Sequence, residues 1–248
     1  MIELVEIHKS FGRQKVLNGL NLHIEEGQTT VIIGGSGGGK SVLLKHIIGL
    51  LRPDSGEVLV DGVDIASLND RDLNEVRKKF GMLFQEAALF DSMNVMDNVA
   101  FPLREHTREK ESRIREIVAK RLKAVGLPGI EKKMPSELSG GMRKRVGLAR
   151  AIAMHPRIVL FDEPTTGLDP VMTEAINALI VETQREFELT CVVISHDVQS
   201  IFTVGHKIAM LYEGKIIEYG TPEKIKMSSN PVLRQFLSGS LEGPISVI

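Results

Sequence analysis

Thr29-Thr30-Val31-Ile32-Ile33-Gly34-Gly35-Ser36-Gly37-Gly38-Gly39-Lys40-Ser41 decides the fold. Its first five residues form a short β-branched run, the pattern of a strand buried on both faces. The next eight match G-x-x-x-x-G-K-[ST]. Beyond them Leu43, Leu44, Ile47 and Ile48 share one helical face, and Gly49 and Pro53 bracket its end. Strand, glycine loop and helix together are the context in which this pattern holds phosphate. Glycines let successive backbone N–H groups converge on an anion, and the helix N-terminus adds partial positive charge. Gly34, Gly35, Ser36, Gly37, Gly38, Gly39, Lys40, Ser41 and Val42 are therefore expected to bind ATP. Lys40 reaches the β- and γ-phosphates, and the Ser41 hydroxyl ligates Mg²⁺.

A second chemical signal is Phe161-Asp162-Glu163-Pro164, which follows the apolar run Ile158-Val159-Leu160. Strand ends in an open α/β sheet line the ligand crevice. Two adjacent acids there repel unless a cation or partner is present. Asp162 is placed to hold Mg²⁺, directly or through water. Glu163 is placed to orient and deprotonate the attacking water.

Around these motifs short strands alternate with amphipathic helices, which argues a mainly parallel, helix-covered sheet. Leu20-Asn21-Leu22-His23-Ile24 and Glu57-Val58-Leu59-Val60 read as strands, each running into a glycine turn. Residues 108–125 carry Ile114, Ile117, Val118, Leu122 and Val125 at helical spacing, stopped by Gly126. Asp169-Pro170 reads as an N-cap followed by proline at the first helical position. Val192-Val193-Ile194 is a buried strand, and Ile208–Leu211 with Lys215–Ile217 makes a hairpin around Glu213-Gly214. The segment from about Ser228 is weakly patterned and reads as an arm.

Composition narrows the classes. The chain has 248 residues, 42% hydrophobic and 25% charged, which is enough to bury a core. A net charge of −1 gives no basis for nucleic-acid binding by phosphate neutralisation. The runs Arg77-Lys78-Lys79 and Arg143-Lys144-Arg145 read as solvated helix faces. Cys191, the single cysteine, lies in an apolar run and is expected to be a small buried hydrophobe. The start Met1-Ile2-Glu3-Leu4 lacks a signal-peptide pattern, and no apolar run approaches the roughly 18 residues of a membrane span. A cytosolic protein is expected unless something holds it at a membrane. Histidines 8, 23, 46, 106, 155 and 206 form no metal-ligand spacing.

Leu138-Ser139-Gly140-Gly141-Met142 is a second anion site by its chemistry: a serine, two glycines and a helix start. Two anion sites beside one phosphate loop point to a nucleotide shared between two chains. This stretch resembles the ABC signature, with Met142 where glutamine is usual. Other positions follow in the order of that family. Gln85 resembles the Q-loop glutamine, which senses Mg²⁺ and links to the membrane partner. Gly167-Leu168-Asp169 resembles the D-loop. His196 resembles the switch histidine that contacts the γ-phosphate, and Phe11 sits where an aromatic stacks on adenine. The resemblance covers nearly the whole chain. It implies a RecA-like P-loop core with an N-terminal antiparallel β subdomain and a helical signature subdomain. The expected ATPase domain spans 1–227, with the helical part at about 86–155 and a tail at 228–248. ATP and Mg²⁺ are the implied ligands. Two copies would sandwich two nucleotides between each phosphate loop and the opposite Ser139–Met142 segment.

Met142, the segments Phe90–Val95 and Asn98–His106, and Ser41–His46 together resemble the ATPases of MCE-type lipid transporters, the Mla phospholipid system. That likeness implies an inner-membrane permease, an MCE-domain lipid-binding protein and a STAS-domain partner. It also implies a position on the cytoplasmic face of the bacterial inner membrane. Gly38 departs from the more usual serine of the loop. Three other readings share parts of this pattern: the ATPase of a small-solute importer, a soluble ABC protein acting on ribosomes or DNA, and a nucleotide-binding module without catalysis. The single phosphate loop and the lack of sustained heptads argue against the second. Glu163 and His196 argue against the third.

Overall fold

The computed structural model describes residues 1–246, so the last two residues of the expected tail, Val247 and Ile248, lie outside the described residues. Two compact units divide the chain: residues 1–73 with 192–248, and residues 74–191.

The first unit opens with β1 (Ile2–Phe11) and β2 (Gln14–Ile24), an antiparallel hairpin. With β4 (Ser55–Val60) and β5 (Val63–Asp64) they form an antiparallel sheet in the order β2-β1-β4-β5, the N-terminal β subdomain expected from the sequence. Alternation explains which face is buried: Ile2 and Leu4 point inward while Glu3 and Val5 point out. The ladder breaks after Leu4, and there Glu6 adopts φ 50°. Its amide donates to Asn21 Oδ1 at 3.0 Å, so the bulged residue keeps a hydrogen bond the ladder cannot supply.

The same unit holds β3 (Thr29–Ile33), α1 (Lys40–Ile47), β9 (Lys207–Tyr212) and β10 (Lys215–Gly220). All five residues of β3 are buried, as its apolar run required. It pairs in parallel with β9, and β9 turns antiparallel into β10 at the expected Glu213-Gly214 hairpin. The chain passes between the units inside β8 (Thr190–Ile194), also wholly buried, where Cys191 is an interior residue. In the first unit the strand order is β10-β9-β3-β8. Three helices close the first unit: α7 (Val198–Val204), α8 (Pro222–Met227) and α9 (Pro231–Ser238). The segment read as an arm thus contains a helix, started by Asn230, whose side chain accepts from the Val232 and Leu233 amides. Gln235 pins the chain beyond it through the carbonyls of Ser240 and Ile245.

The second unit contains the end of α2 (Asp70–Arg77, whose residues through Leu73 belong to the first unit), β6 (Phe80–Leu83), α3 (Val95–His106), α4 (Glu111–Ala124), α5 (Gly140–Ala151), β7 (Ile158–Asp162) and α6 (Pro170–Glu186). β6 and β7 are parallel. α4 presents Ile114, Val118 and Leu122 to the interior and ends before Gly126, at φ 71°. α6 begins as expected: Asp169 accepts from the amides of Val171 and Met172, both at 3.0 Å, and Pro170 follows. No helix of the described residues is long and apolar enough to cross a membrane.

Candidate nucleotide site

β3 delivers the chain into the phosphate loop. Gly34 takes φ 154°, and a Cβ there would run into the Leu211 carbonyl of β9. Gly39 caps α1 at φ 94°, where a Cβ would meet Val16 at 2.9 Å. A Cβ on Gly38 would lie 2.9 Å from the Gly35 carbonyl, which accepts the Gly38 amide at 3.1 Å. The missing serine at 38 therefore suits this loop's own close turn.

Lys40 is buried to 7% exposure, and its ammonium donates to the Gly34 and Gly35 carbonyls, both at 2.9 Å. The cation is thus held over the loop by neutral acceptors, within reach of whatever the loop encloses. No side chain caps α1, and no acidic residue occupies its first turn. That helix start is electrostatically suited to an anion. Behind the loop, His46 is fully buried with Nδ1 2.7 Å from the Val42 carbonyl. Burial, helped by the nearby Lys9 ammonium and opposed by that hydrogen bond, pushes its pKa below the ordinary value. Two more predicted residues lie in this unit. Phe11 is 48% exposed at the end of β1, with the Lys9 ammonium 5.7 Å from its ring centre. His196 is exposed just after β8, ahead of Asp197, which caps α7.

In the second unit β7 ends at Asp162, and Glu163 turns the chain at φ 48°. Thr166 holds that turn twice: its amide donates to the Glu163 carbonyl at 3.3 Å and its hydroxyl to Oε2 at 3.0 Å. Gln85 is exposed beyond β6. Ser139 caps α5, accepting from the Met142 amide at 3.3 Å, and no acid follows in the first turn. Gly141 is close-packed, since a Cβ would strike the end of Met172 on α6.

Three residues that hold the backbone beside these motifs escaped the sequence reading. Thr166 is one. The others sit on α5, in or near the basic run expected to be solvated. That expectation holds for exposed Arg143 and fails for Lys144, which is 6% exposed. Its ammonium donates to the Gln85 carbonyl at 3.0 Å and, longer, to the Glu163 carbonyl at 3.5 Å. Arg150 donates to the carbonyls of Ala88 at 2.8 Å and Ala87 at 2.7 Å, two consecutive residues at φ 45° and 59°. Helical spacing held the clue: Gly141, Lys144, Leu148 and Ala151 share one face, and its other members are small or apolar.

The residues expected to meet a cation are hard oxygen donors by their chemistry: the Ser41 hydroxyl in the first unit, and the Asp162 carboxylate and Gln85 amide in the second. Among the described residues no cluster of three or more His, Cys, Asp or Glu could hold a metal. That donor set fits an ion such as Mg²⁺, which keeps waters and takes substrate phosphate oxygens rather than a protein cage.

Two helix starts suited to anions, one of them behind a strand and glycine loop, define a phosphate-loop nucleotide-binding protein. The chain belongs to the ABC transporter family, which it matches over residues 17–166. It is 48% identical over 246 residues to the probable ribonucleotide transport ATP-binding protein mkl of Mycobacterium leprae, covering 99% of this chain and 71% of that one. To the intermembrane phospholipid transport system ATP-binding protein MlaF of Haemophilus influenzae it is 45% identical over 245 residues, covering 99% and 93%. Its fold matches the dimeric post-hydrolysis state of the ATP-binding cassette MJ0796 bound to ADP and Pi with a TM-score of 0.81 and 33% identity, covering 89% of this chain and 98% of that one. The family resemblance read from the motifs is upheld, and the Mla likeness has a near full-length counterpart.

Proposed function

We propose that this chain is the ATP-hydrolysing subunit of an ABC transporter that moves phospholipid between membranes through a separate permease. The observation that carries the ATPase reading is the phosphate loop with buried Lys40 curled over it. The phospholipid reading rests on the near full-length likeness to the MlaF relative.

ATP enters with its phosphates in the 34–41 loop and its adenine against Phe11. Lys40 turns from the Gly34 and Gly35 carbonyls to the β- and γ-phosphates, exchanging neutral acceptors for charged ones. Ser41, Gln85 and Asp162 would hold Mg²⁺, which supplies charge neutralisation on the phosphates. Glu163, fixed by Thr166, orients water in line with the γ-phosphorus and takes its proton. His196 contacts the γ-phosphate. A second copy brings Ser139, Gly140, Gly141 and Met142, with the α5 N-terminus, to the same γ-phosphate, and Asp169 lies along that contact. The two copies form a homodimer around two nucleotides. Catalysis is then positioning and preorganised charge.

The signature-bearing subdomain is taken as about 86–155, which includes α3, α4 and α5. Directly after Gln85 lies an apolar groove of about 420 Å³ lined by Phe80, Met82, Phe84, Phe90, Phe101 and Arg150. Phe84 and Phe90 are 39% and 41% exposed. Such a groove supports docking of a permease segment beside the glutamine that meets the nucleotide. The chain would sit on the cytoplasmic face of the inner membrane. An MCE-domain lipid-binding protein and a STAS-domain protein complete the assembly. The ATPase domain is taken as 1–227, with the segment from 228 on, which carries α9, as its tail.

Gentle extraction of the chain from its native membranes tests this. A copurifying permease and MCE-domain protein with bound phospholipid is the expected result. A soluble solute-binding protein in place of the MCE protein would make it a small-solute importer.

A further inference from the structure

Lys144 is a buried cation whose bonds run to carbonyl oxygens, an expensive arrangement for a position where an apolar side chain would pack against the same helices. Burial lowers its pKa, partly offset by attraction to Glu86 and Glu163. The carbonyls it reaches belong to Gln85 and Glu163, residues of this unit read as meeting the metal and the attacking water. Glu163 stands on left-handed backbone at φ 48°, so the direction of its carboxylate depends on what fixes that peptide. Lys144 lies five residues beyond Ser139 on the signature helix, about 7 Å along its axis. A displacement of α5 is therefore felt at both carbonyls through one side chain.

We propose that Lys144 is a positioning residue for ATP hydrolysis, setting the backbone at Gln85 and Glu163 from the signature helix. The proposal rests on the reading of Glu163 as general base. When the α5 N-terminus meets the γ-phosphate held by the other copy, the same rigid helix carries the ammonium that aligns the water-activating carboxylate. Engagement of the signature and readiness of the base become one event. Arg150, gripping the carbonyls of Ala87 and Ala88, extends the hold toward the apolar groove.

The test compares Lys144→Met, of similar length without a donor, with Lys144→Gln, shorter but still able to give an N–H to the Gln85 carbonyl. Steady-state kcat of the assembled complex, equilibrium binding of labelled ATP and the thermal midpoint are measured for each. K144M is expected to lose about tenfold in kcat, with ATP binding within about twofold of wild type, and K144Q to stay within about fivefold in kcat. A kcat near wild type for K144M overturns the proposal. So does a fall in K144Q as deep as that in K144M, accompanied by equal losses in binding and thermal midpoint. If K144M fails to assemble, K144Q decides: a loss within fivefold supports the donor role, and a larger one overturns it. Glu163→Gln is run alongside. Wild-type turnover there removes the general-base reading itself, whereas an inactive E163Q beside a fully active K144M removes only the role of Lys144.

Discussion

Thr166 and His46 each fix something the motif residues cannot fix for themselves. Thr166 hydrogen-bonds both the carbonyl and the carboxylate of Glu163, whose left-handed backbone costs on the order of 1–3 kcal/mol unless its surroundings determine it. Thr166→Val keeps the volume and removes the hydroxyl. Loss of one hydrogen bond to a charged group is expected to lower kcat by about tenfold, with ATP affinity unchanged in an equilibrium titration. His46 stands buried behind the loop, its pKa depressed from the ordinary 6.5 by burial first and then by Lys9. As pH falls below 6.5 the unfolded chain takes up a proton that the folded one refuses. The unfolded state then binds more protons, so stability declines with acid from that value down to the folded pKa. The thermal midpoint should drop as pH falls through 6.5, and His46→Gln should flatten that slope in a differential scanning series.

Helix starts and one buried amide organise the elements. Asp169 accepts from two backbone amides at the head of α6, so Asp169→Ala should cost about 1 kcal/mol in denaturant unfolding while Asp169→Asn retains most of it. Asn98, fully buried in α3, accepts from the Phe90 amide at 2.8 Å and donates to the carbonyls of Phe90 and Met93. It ties one wall of the apolar groove to the helix. Asn98→Ala leaves these groups without their partner, with an expected loss of about 2 kcal/mol and weaker permease association in a pull-down. Such ties explain what could be read in advance. β3, β8 and the β9–β10 hairpin were legible because their burial is continuous or their turn is marked, and the start of α6 because Asp169-Pro170 announces it. α2 buries only Leu73, and α3 carries Pro102 inside it, so neither shows a clean helical stripe. Lys144 was misread because a charged residue between two arginines looks solvated, and only the small and apolar members of its helical face say otherwise. Thr166 left no signal, since its role depends on a turn that the sequence does not specify.

Over the whole molecule, the residues to which the proposed function gives a role fall in both compact units: loop, Phe11 and His196 in one, and Gln85, the carboxylates and the signature helix in the other. Each chain also carries a phosphate loop and a separate helix start with no acid in its first turn, and in the proposed function two copies close each site. ATP should therefore shift the chain toward a dimer in analytical ultracentrifugation, and Ser139→Ala should weaken that shift, because the hydroxyl at the α5 start is lost to both cap and phosphate. The proposed hydrolysis depends above all on Glu163 as the base that activates water. Steady-state ATP hydrolysis by the assembled complex, compared between wild type and Glu163→Gln, measures this directly. The predicted result is a fall of about a hundredfold or more, with ATP still bound and the dimer retained. Hydrolysis by the variant at the wild-type rate would contradict it.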